Sequence, residues 1–592
     1  MSAGPLPARG PILFLSFLLF AGLAFCRVNA QPNRGMNTRP QPPRIFFTDL
    51  DSGPAAGGER FGKFSGAYVT LFGNFFGTTQ KSSTVTWKGQ HCLRIVPAVG
   101  SYAGWGAPYL WYQKIVVQIG AACREGPGEF VVTVNGQPSN GIPFTIRPGR
   151  IFCVSSAGSD RNSGTFLRGC WATLVRARKQ MAPGDITYVG DGVAALTLDD
   201  YDANLAITTS GVAGRPIALV ACPGARVTIG TAMGKVGYAL RTPNIGGFHY
   251  WTLAGLTVRS ANIGLEVSGG SSDFRAIAID ASCPMAIGAF QGGCLDTALG
   301  ASRMTFLGNY SHDNAQVSPR GSTKGFHNLY FSTDSNHVTA AWNLIDGDSG
   351  RRLCNGGPCN ACRGIQFHSS PALGGGPKDH SGHGQFDLHV HDNVIRNTHC
   401  DGINFATVDP SRGPVEAYNN VIYHTGTGVL TGDQSSYACI CFAGILNNGP
   451  APGGAARVYN NTCYDFGGGG GPNAGAIAAS PSGALKVDLR NNIFAALPGQ
   501  SYVSGSAQRH SAMFMGNANL FFGAGAGPRP LASGPRTDPG FANAKAGDFR
   551  LLPGSAAIDS GANTALGTDI DGVRRPQGSR IDIGAYEFAG SR

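Results

Sequence analysis

The sequence predicts an all-β chain in which a small β-sandwich precedes a long solenoid of stacked β coils. Three observations carry this. An apolar-flanked Asn, usually doubled, recurs before an apolar pair: HDNVIRN at Asn393, AYNNVIYH at Asn420, VYNNTCYD at Asn461 and LRNNIFAA at Asn492, with looser copies at Asn309, Asn343 and Asn519. A second series of strands alternates with the first, in GFHNLYFS, RGIQFHSS, DGINFATV, TGVLTG and AGAIAAS. Self-similarity at about 25–40 residues marks a stack of coils, each burying its apolar face on its neighbours. The composition agrees: Gly supplies 88 of 592 residues, charged residues only 14% and apolar residues 42%. That balance suits many tight turns between short strands, in a chain too long for one ordinary core.

The elements follow in order. Residues 1–30 read as a secretory signal peptide: Arg9 ends a basic region, Pro11 to Phe25 form an apolar run, and Val28-Asn29-Ala30 offers a cleavage site before Gln31. Cys26 leaves a lipoprotein reading open, although Phe25 is bulky where a small residue is wanted. No later stretch is long and apolar enough for a membrane anchor, so the expected location is secreted or cell-surface associated. Removing the signal leaves 14 of 15 cysteines, an even number that favours disulfides in an oxidising compartment. Cys92 with Cys123 and Cys283 with Cys294 are plausible pairs, while Cys354, Cys359 and Cys362, completed by Cys400, offer a zinc alternative. The net charge of +11 suits an acidic polysaccharide as partner. No nucleic acid is expected, and the chain is read as a monomer.

Residues 31–43, rich in Pro, Asn and Arg, form a linker. From Arg44, alternating strands broken by Gly and Asn turns predict a β-sandwich over 44–148. Gly53-Pro54, Gly57-Gly58, Gly73-Asn74-Phe75-Phe76-Gly77, Ser139-Asn140-Gly141 and Phe144 give this segment a resemblance to the IPT/TIG immunoglobulin-like family. That resemblance implies binding or spacing, not catalysis.

The coils occupy 149–525. Trp171–Met181 is the clearest helix, with Trp171, Leu174, Val175 and Met181 on its apolar face and Arg176, Arg178 and Lys179 kept outside; Pro183-Gly184-Asp185 ends it. A short helix over an entry coil resembles secreted right-handed parallel β-helix proteins of the pectate-lyase-like superfamily, where it caps an open apolar end. The repeated Asn is assigned to coil corners, because it tolerates the left-handed conformation and its amide can bond to the Asn one coil above. Residues 526–592 resemble the C-terminal choice-of-anchor Q type domain through Asp538-Pro539, Phe549-Arg550-Leu551, Ala557-Ile558-Asp559, Asp569-Ile570-Asp571-Gly572, Arg575-Pro576 and Asp582-Ile583-Gly584-Ala585-Tyr586-Glu587. That likeness implies a cap or a surface-associated end.

A packed solenoid interior leaves its outer faces for chemistry, and strand alternation says which side chains point there. With Ile365 and Phe367 inward, Gln366 and His368 point out; with Ile403 and Phe405 inward, Asn404 points out. Leu329 and Phe331 place Tyr330 and Lys324 outside and His327 inside, as a buried, hydrogen-bonded histidine. Tyr330, Gln366, His368 and Asn404 therefore form an exposed polar column, surrounded by Asp346, Asp348, Arg351, Arg352, Arg363, His399, Asp401 and Asp409. The chemistry this favours is β-elimination on a uronate-containing polysaccharide. Lys324 or His368 would act as base, with Arg363 and Tyr330 assisting. Arg351, Arg352, Gln366, Asn404 and Asp401 would bind substrate, and Asp346 and Asp348 would hold Ca²⁺ beside the substrate carboxylate.

Hydrolysis on the same fold is the enzyme alternative, since polygalacturonase-type sites need paired carboxylates. NTHCDGIN at Asn397–Asn404 and Gly382-His383-Gly384 match such motifs only in part, and in reversed order. An alginate-epimerase motif is not met at Asp409-Pro410, which Ser411-Arg412 follow. A non-catalytic surface or adhesion protein is the alternative from another class.

Overall fold

The computed structural model describes residues 39–97, 104–233, 236–284, 292–315, 326–347, 362–369, 384–427, 436–442, 453–479, 485–524 and 534–590, with the backbone of 353–354 and 357–358. From Ile151 onward the chain winds as a right-handed parallel β-helix. Each full coil contributes one strand to each of three parallel sheets, of 12, 11 and 9 strands among the described residues. The first sheet starts at Ile151–Val154, the second at Ala194–Ala195 and the third at Ala203–Ala206. Side-chain alternation fills the bore. Along the third sheet Leu265, Leu295, Leu329, Ile365, Ile403, Ile440 and Ile477 pair rung on rung. Beside them Phe331, Phe367, Phe405 and Phe442 stack with ring centroids 5.0, 5.5 and 5.3 Å apart.

The asparagine ladder forms at the corner between the first and second sheets. Starting from Asn309, the residues Asn343, Asn393, Asn420, Asn461, Asn492 and Asn519 each accept, at Oδ1, the side-chain amide of the Asn one coil before, at 2.9–3.0 Å. Each remaining amide hydrogen reaches a carbonyl of the first sheet, as from Asn343 Nδ2 to Phe306 O at 3.0 Å. The left-handed residue is a different one from that expected. It is the preceding Asn419 (φ 53°), Asn460 (φ 54°) or Asn491 (φ 56°), and Gly308, Trp342, Asp392 and Ala518 on the other coils. The doubled Asn thus splits the work: the first residue turns the chain, and the second returns to an ordinary φ and aims its amide into the stack. The first residue has a further use, because Asn419, Asn460 and Asn491 donate to the carbonyls of Thr568, Asp582 and Ala562 at 2.9, 2.9 and 2.7 Å. These bonds dock segment 534–590 onto the solenoid, around a fully buried Arg575–Glu587 ion pair at 2.9 Å.

The entry helix is shorter than the sequence pattern predicts. It runs Leu174–Gln180, because the Thr173 side chain caps it by accepting from the amide of Arg176. Trp171 precedes it as a bridge to Val154. Arg178 is a correction: it is buried, gripping Asp199 and Asp200, both at 2.6 Å, and is not held outside.

Residues 44–146 form two five-stranded sheets packed face to face. Their core continues into the solenoid. Val69, Leu71, Ile115 and Phe144 belong to one apolar cluster with Tyr188, Val220, Ile277 and Leu307 of the first sheet. Tyr188 donates to Tyr68 O at 2.8 Å, Tyr112 to Trp342 O at 3.1 Å, and Phe46 stacks on Trp342 at 5.5 Å. The sandwich is fused to the first sheet through this shared core, not strung from it by a linker.

Cys92–Cys123, Cys153–Cys170, Cys283–Cys294, Cys362–Cys400 and Cys439–Cys463 are disulfides. The zinc alternative fails here: Cys362 and Cys400 spend their sulfurs on each other, and no group of three potential metal-binding His, Cys, Asp or Glu side chains occurs among the described residues. No helix among the described residues is long and apolar enough to cross a membrane.

Candidate functional site

The column lies on the outer face of the third sheet, in the register expected. Tyr330 pairs with Gln366 and Gln366 with Asn404, one rung apart, while His368 stands beside Ser332 at the strand end. The row is longer than the sequence analysis found. Arg241, Glu266 and Asp296 precede Tyr330 in the same register, and Cys441 follows Asn404. The missed signal is the same alternation, since Leu265 and Val267 flank Glu266, and Leu295 directly precedes Asp296.

The column is buried, a correction to the expected exposure. Tyr330 is 2% exposed, Gln366 5% and Asn404 1%, because neighbouring side chains stack rung on rung and shield one another. Of the described predicted residues only Arg363 and His368 keep an edge toward solvent. Lys324, Asp348, Arg351 and Arg352 lie outside the described residues.

Arg363 is tied to the strand that follows. Its Nε donates to Asp401 Oδ2 at 3.0 Å and its Nη1 to Gln366 Oε1 at 2.9 Å. Asp401 is fully buried and also accepts from Asn404 Nδ2 and Ser436 Oγ, both at 2.6 Å, and from the amide of Ala438 at 3.0 Å. Burial pushes its carboxyl above the usual range despite these partners. Asp401 therefore acts as the counter-charge that orients Arg363, a support rather than a substrate contact.

Around Tyr330 the environment is dry. The Tyr330 hydroxyl meets His368 Nδ1 at 3.3 Å. Burial, and then the Arg363 charge, lower the His368 pKa to about 4, so its imidazole is neutral at ordinary pH. His327 is buried as expected but faces the other way. Its ring meets that of Tyr330 edge-on at 5.0 Å, on the outer face, and its Nδ1 has no hydrogen-bond partner. The pleat breaks between the two, and burial with the Arg363 charge keeps His327 well below the ordinary histidine range.

One end of the row carries two carboxyls on adjacent rungs. Glu266 pairs with Arg241 at 2.8 Å, and burial raises its carboxyl nonetheless. Asp296 Oδ1 is buried with no partner; burial, and then the Glu266 charge, push that group well above the carboxylate range.

The calcium expectation does not fit the described residues. Asp346 lies on the second sheet, off the column, with Oδ2 on Arg396 at 2.7 Å and Oδ1 on Asn397 at 2.7 Å. Its charge is already balanced, so it offers a cation no free carboxylate.

No protein-family model matches this chain, and no curated protein is similar to it in sequence. Solved structures do share its fold. Pectate lyase Pel9A superposes over 74% of this chain and 96% of its own, with a TM-score of 0.50 at 15% identity. An alginate lyase from Paenibacillus sp. str. FPU-7 and a rhamnogalacturonan lyase superpose over 62% of this chain each, at TM-scores of 0.30 and 0.34 and 15% identity. The chain is therefore a right-handed parallel β-helix protein of the architecture seen in pectate lyase Pel9A, preceded by a β-sandwich.

Proposed function

We propose that the protein is a secreted or cell-surface carbohydrate-active enzyme that cleaves a uronate-containing polysaccharide by β-elimination on the third sheet. The observation that carries this is the neutral His368 imidazole held against the Tyr330 hydroxyl beside the Arg363 guanidinium. In the tautomer where Nδ1–H donates to the Tyr330 oxygen, the Nε2 lone pair is free to take the C5 proton. Arg363 neutralises the substrate carboxylate that makes this proton removable; its Nη2 has no partner among the described residues. The C5–H electrons form the C4=C5 bond, the C4–O4 bond breaks, and His368 Nε2 hands the proton it took on to the leaving oxygen, which leaves the imidazole neutral again. Tyr330, itself buried, fixes the ring through the Nδ1–H···O bond. No step uses a metal. The five disulfides among the described residues suit an oxidising compartment.

The test is a panel of pectate, alginate, glucuronan and chondroitin, followed by the ultraviolet absorbance of the unsaturated product. One polymer is expected to give product, and His368→Ala to lose roughly 10²–10⁴-fold in rate. Full activity in both His368→Ala and Lys324→Ala would remove this site from consideration. The Glu266–Asp296 carboxyls favour a second reading, acid–base hydrolysis, which would yield reducing ends without the absorbance. Neither product with any polymer would make this a non-catalytic surface protein that binds glycans, as its sandwich and docked C-terminal segment would suit.

A further inference from the structure

A second polar surface lies on the other side of the solenoid, where the sandwich overhangs the first sheet. The cleft between them has a volume of about 770 Å³, within the range of ligand sites. Asp51, Ser52 and Pro143–Thr145 of the sandwich form one wall. The floor crosses five coils, so at about 4.8 Å per rung it is roughly 19 Å long.

Two rows of side chains run along that floor. The inner row is Thr252, Arg275, Thr305, Thr339 and His389, each paired with the next. The Thr305 and Thr339 hydroxyls have no hydrogen-bond partner among the described residues. The outer row is Tyr250, Asp273, Arg303, His337 and Asp387, and all five take the left-handed backbone, with φ of 53–60°. For residues other than Gly this conformation is costly, and repeated on five coils it turns five polar side chains toward the cleft.

Charge in the cleft is internally matched. Arg303 forks onto Asp273 at 2.8 and 2.9 Å. Asp387 accepts from His337 and His389 across 2.5 and 2.9 Å, and Arg275 lies 3.8 Å from Asp51. Asp273 has Arg303 beside it, Asp51 has Arg275, and Asp387 accepts from two imidazoles, so no lining carboxylate is left without a partner to attract an ionic ligand. What remains are directed donors and acceptors at regular spacing: the Thr305 and Thr339 hydroxyls, Arg303 Nη1, His337 Nε2 and one face of the Tyr250 ring. A repeat close to one sugar unit per coil, lined by hydroxyls and matched Asp–Arg and Asp–His pairs, suits a linear chain of hydroxyl groups.

We propose that this cleft is a second glycan-binding site, taking a run of roughly four units of a neutral linear polysaccharide across the rungs. It is independent of the chemistry assigned to the third sheet. It would hold the protein on a neutral polymer while the column meets its own substrate.

The experiment is affinity electrophoresis of the full chain in gels containing soluble neutral glycans (a glucan, a xylan, a galactomannan) or acidic ones, with affinity measured by calorimetry for any that retard it. At least one neutral glycan is expected to retard the protein. Arg303→Ala with His337→Ala should weaken that binding at least tenfold. Thr339→Trp, which fills the floor without removing a charge, should abolish it at an unchanged melting temperature. His368→Ala should be retarded like the parent. Retardation by acidic polymers alone, by none, or equally in the cleft variants and the parent would overturn the proposal.

Discussion

The third-sheet column and the first-sheet cleft use the same residue types on two faces of one solenoid, yet they hold their protons oppositely. In the column burial dominates: it lowers His368 to about 4 and raises Asp401 and Asp296. In the cleft partners dominate. The Glu416 hydrogen bond raises His389, and although burial would raise Asp387, its bonds to His337 and His389 hold it below the ordinary value. The difference is water. His337 and Arg303 side chains are 44% and 54% exposed, whereas Tyr330 and Asn404 are buried. A dry face selects neutral acid–base groups, the kind proton transfer needs; a wet face keeps ion pairs, which orient donors for hydroxyls.

The sharpest way to break this comparison is to remove one arginine from each face. Arg363→Ala strands the fully buried Asp401, so it should cost about 3–5 kcal/mol in urea unfolding. Arg303→Ala removes an exposed partner and should cost about 0–1 kcal/mol. Equal losses would mean that the two faces do not differ in solvation.

Next in size is the pH response of the column. The folded pKa of His368 lies below its ordinary 6.5, so between those values the unfolded chain binds a proton that the folded chain refuses. Stability should therefore fall as pH drops from about 6.5 to about 4, by roughly 3 kcal/mol, and level off below that. His368→Gln should flatten this slope. With the active polymer, the acidic limb of the rate profile should have its midpoint near pH 4. A midpoint near 6.5 would place His368 in water.

The scaffold was legible because its rules are local and periodic. The Leu, Ile and Phe rungs of the third sheet follow from alternation alone, as does the Tyr330–Gln366–Asn404 row. The Asn stack was legible as a ladder, but which Asn turned the chain was not, since either member of a doublet tolerates the left-handed region. What stayed hidden is what depends on contacts far apart in sequence. Nothing near Asn419, Asn460 or Asn491 announces the C-terminal carbonyls they bind. Nothing around Arg178 announces Asp199 and Asp200. His327 was placed inside because alternation assumes an unbroken pleat, and the break before Tyr330 leaves no mark in composition. Exposure of the column was misjudged for a related reason: pointing outward from a sheet is a strand property, whereas burial depends on neighbouring rungs. The cleft was invisible throughout, since it exists only where the sandwich and the solenoid share a core.

The smallest expected effect sits in that cleft and has the opposite sign. His389 donates to Glu416 at 3.1 Å and to Asp387 at 2.9 Å, and its folded pKa is raised. Its contribution is fully present below its ordinary 6.5 and is lost as pH rises through the folded value. Glu416, lowered first by the His389 bond and then by Arg457, contributes above its ordinary 4.5 and loses that as pH falls through its folded value. The pair therefore stabilises a window that opens where the column begins to lose ground. With side chains 32% and 18% exposed, it should be worth less than about 1 kcal/mol and fade in molar salt. His389→Gln should lower the melting temperature at pH 5.5 relative to pH 8, by a margin that high salt removes. The His368 slope, set by burial and not by a screened pair, should persist in the same salt. If both slopes vanish together, the two faces are held by one kind of force, and the contrast between them is wrong.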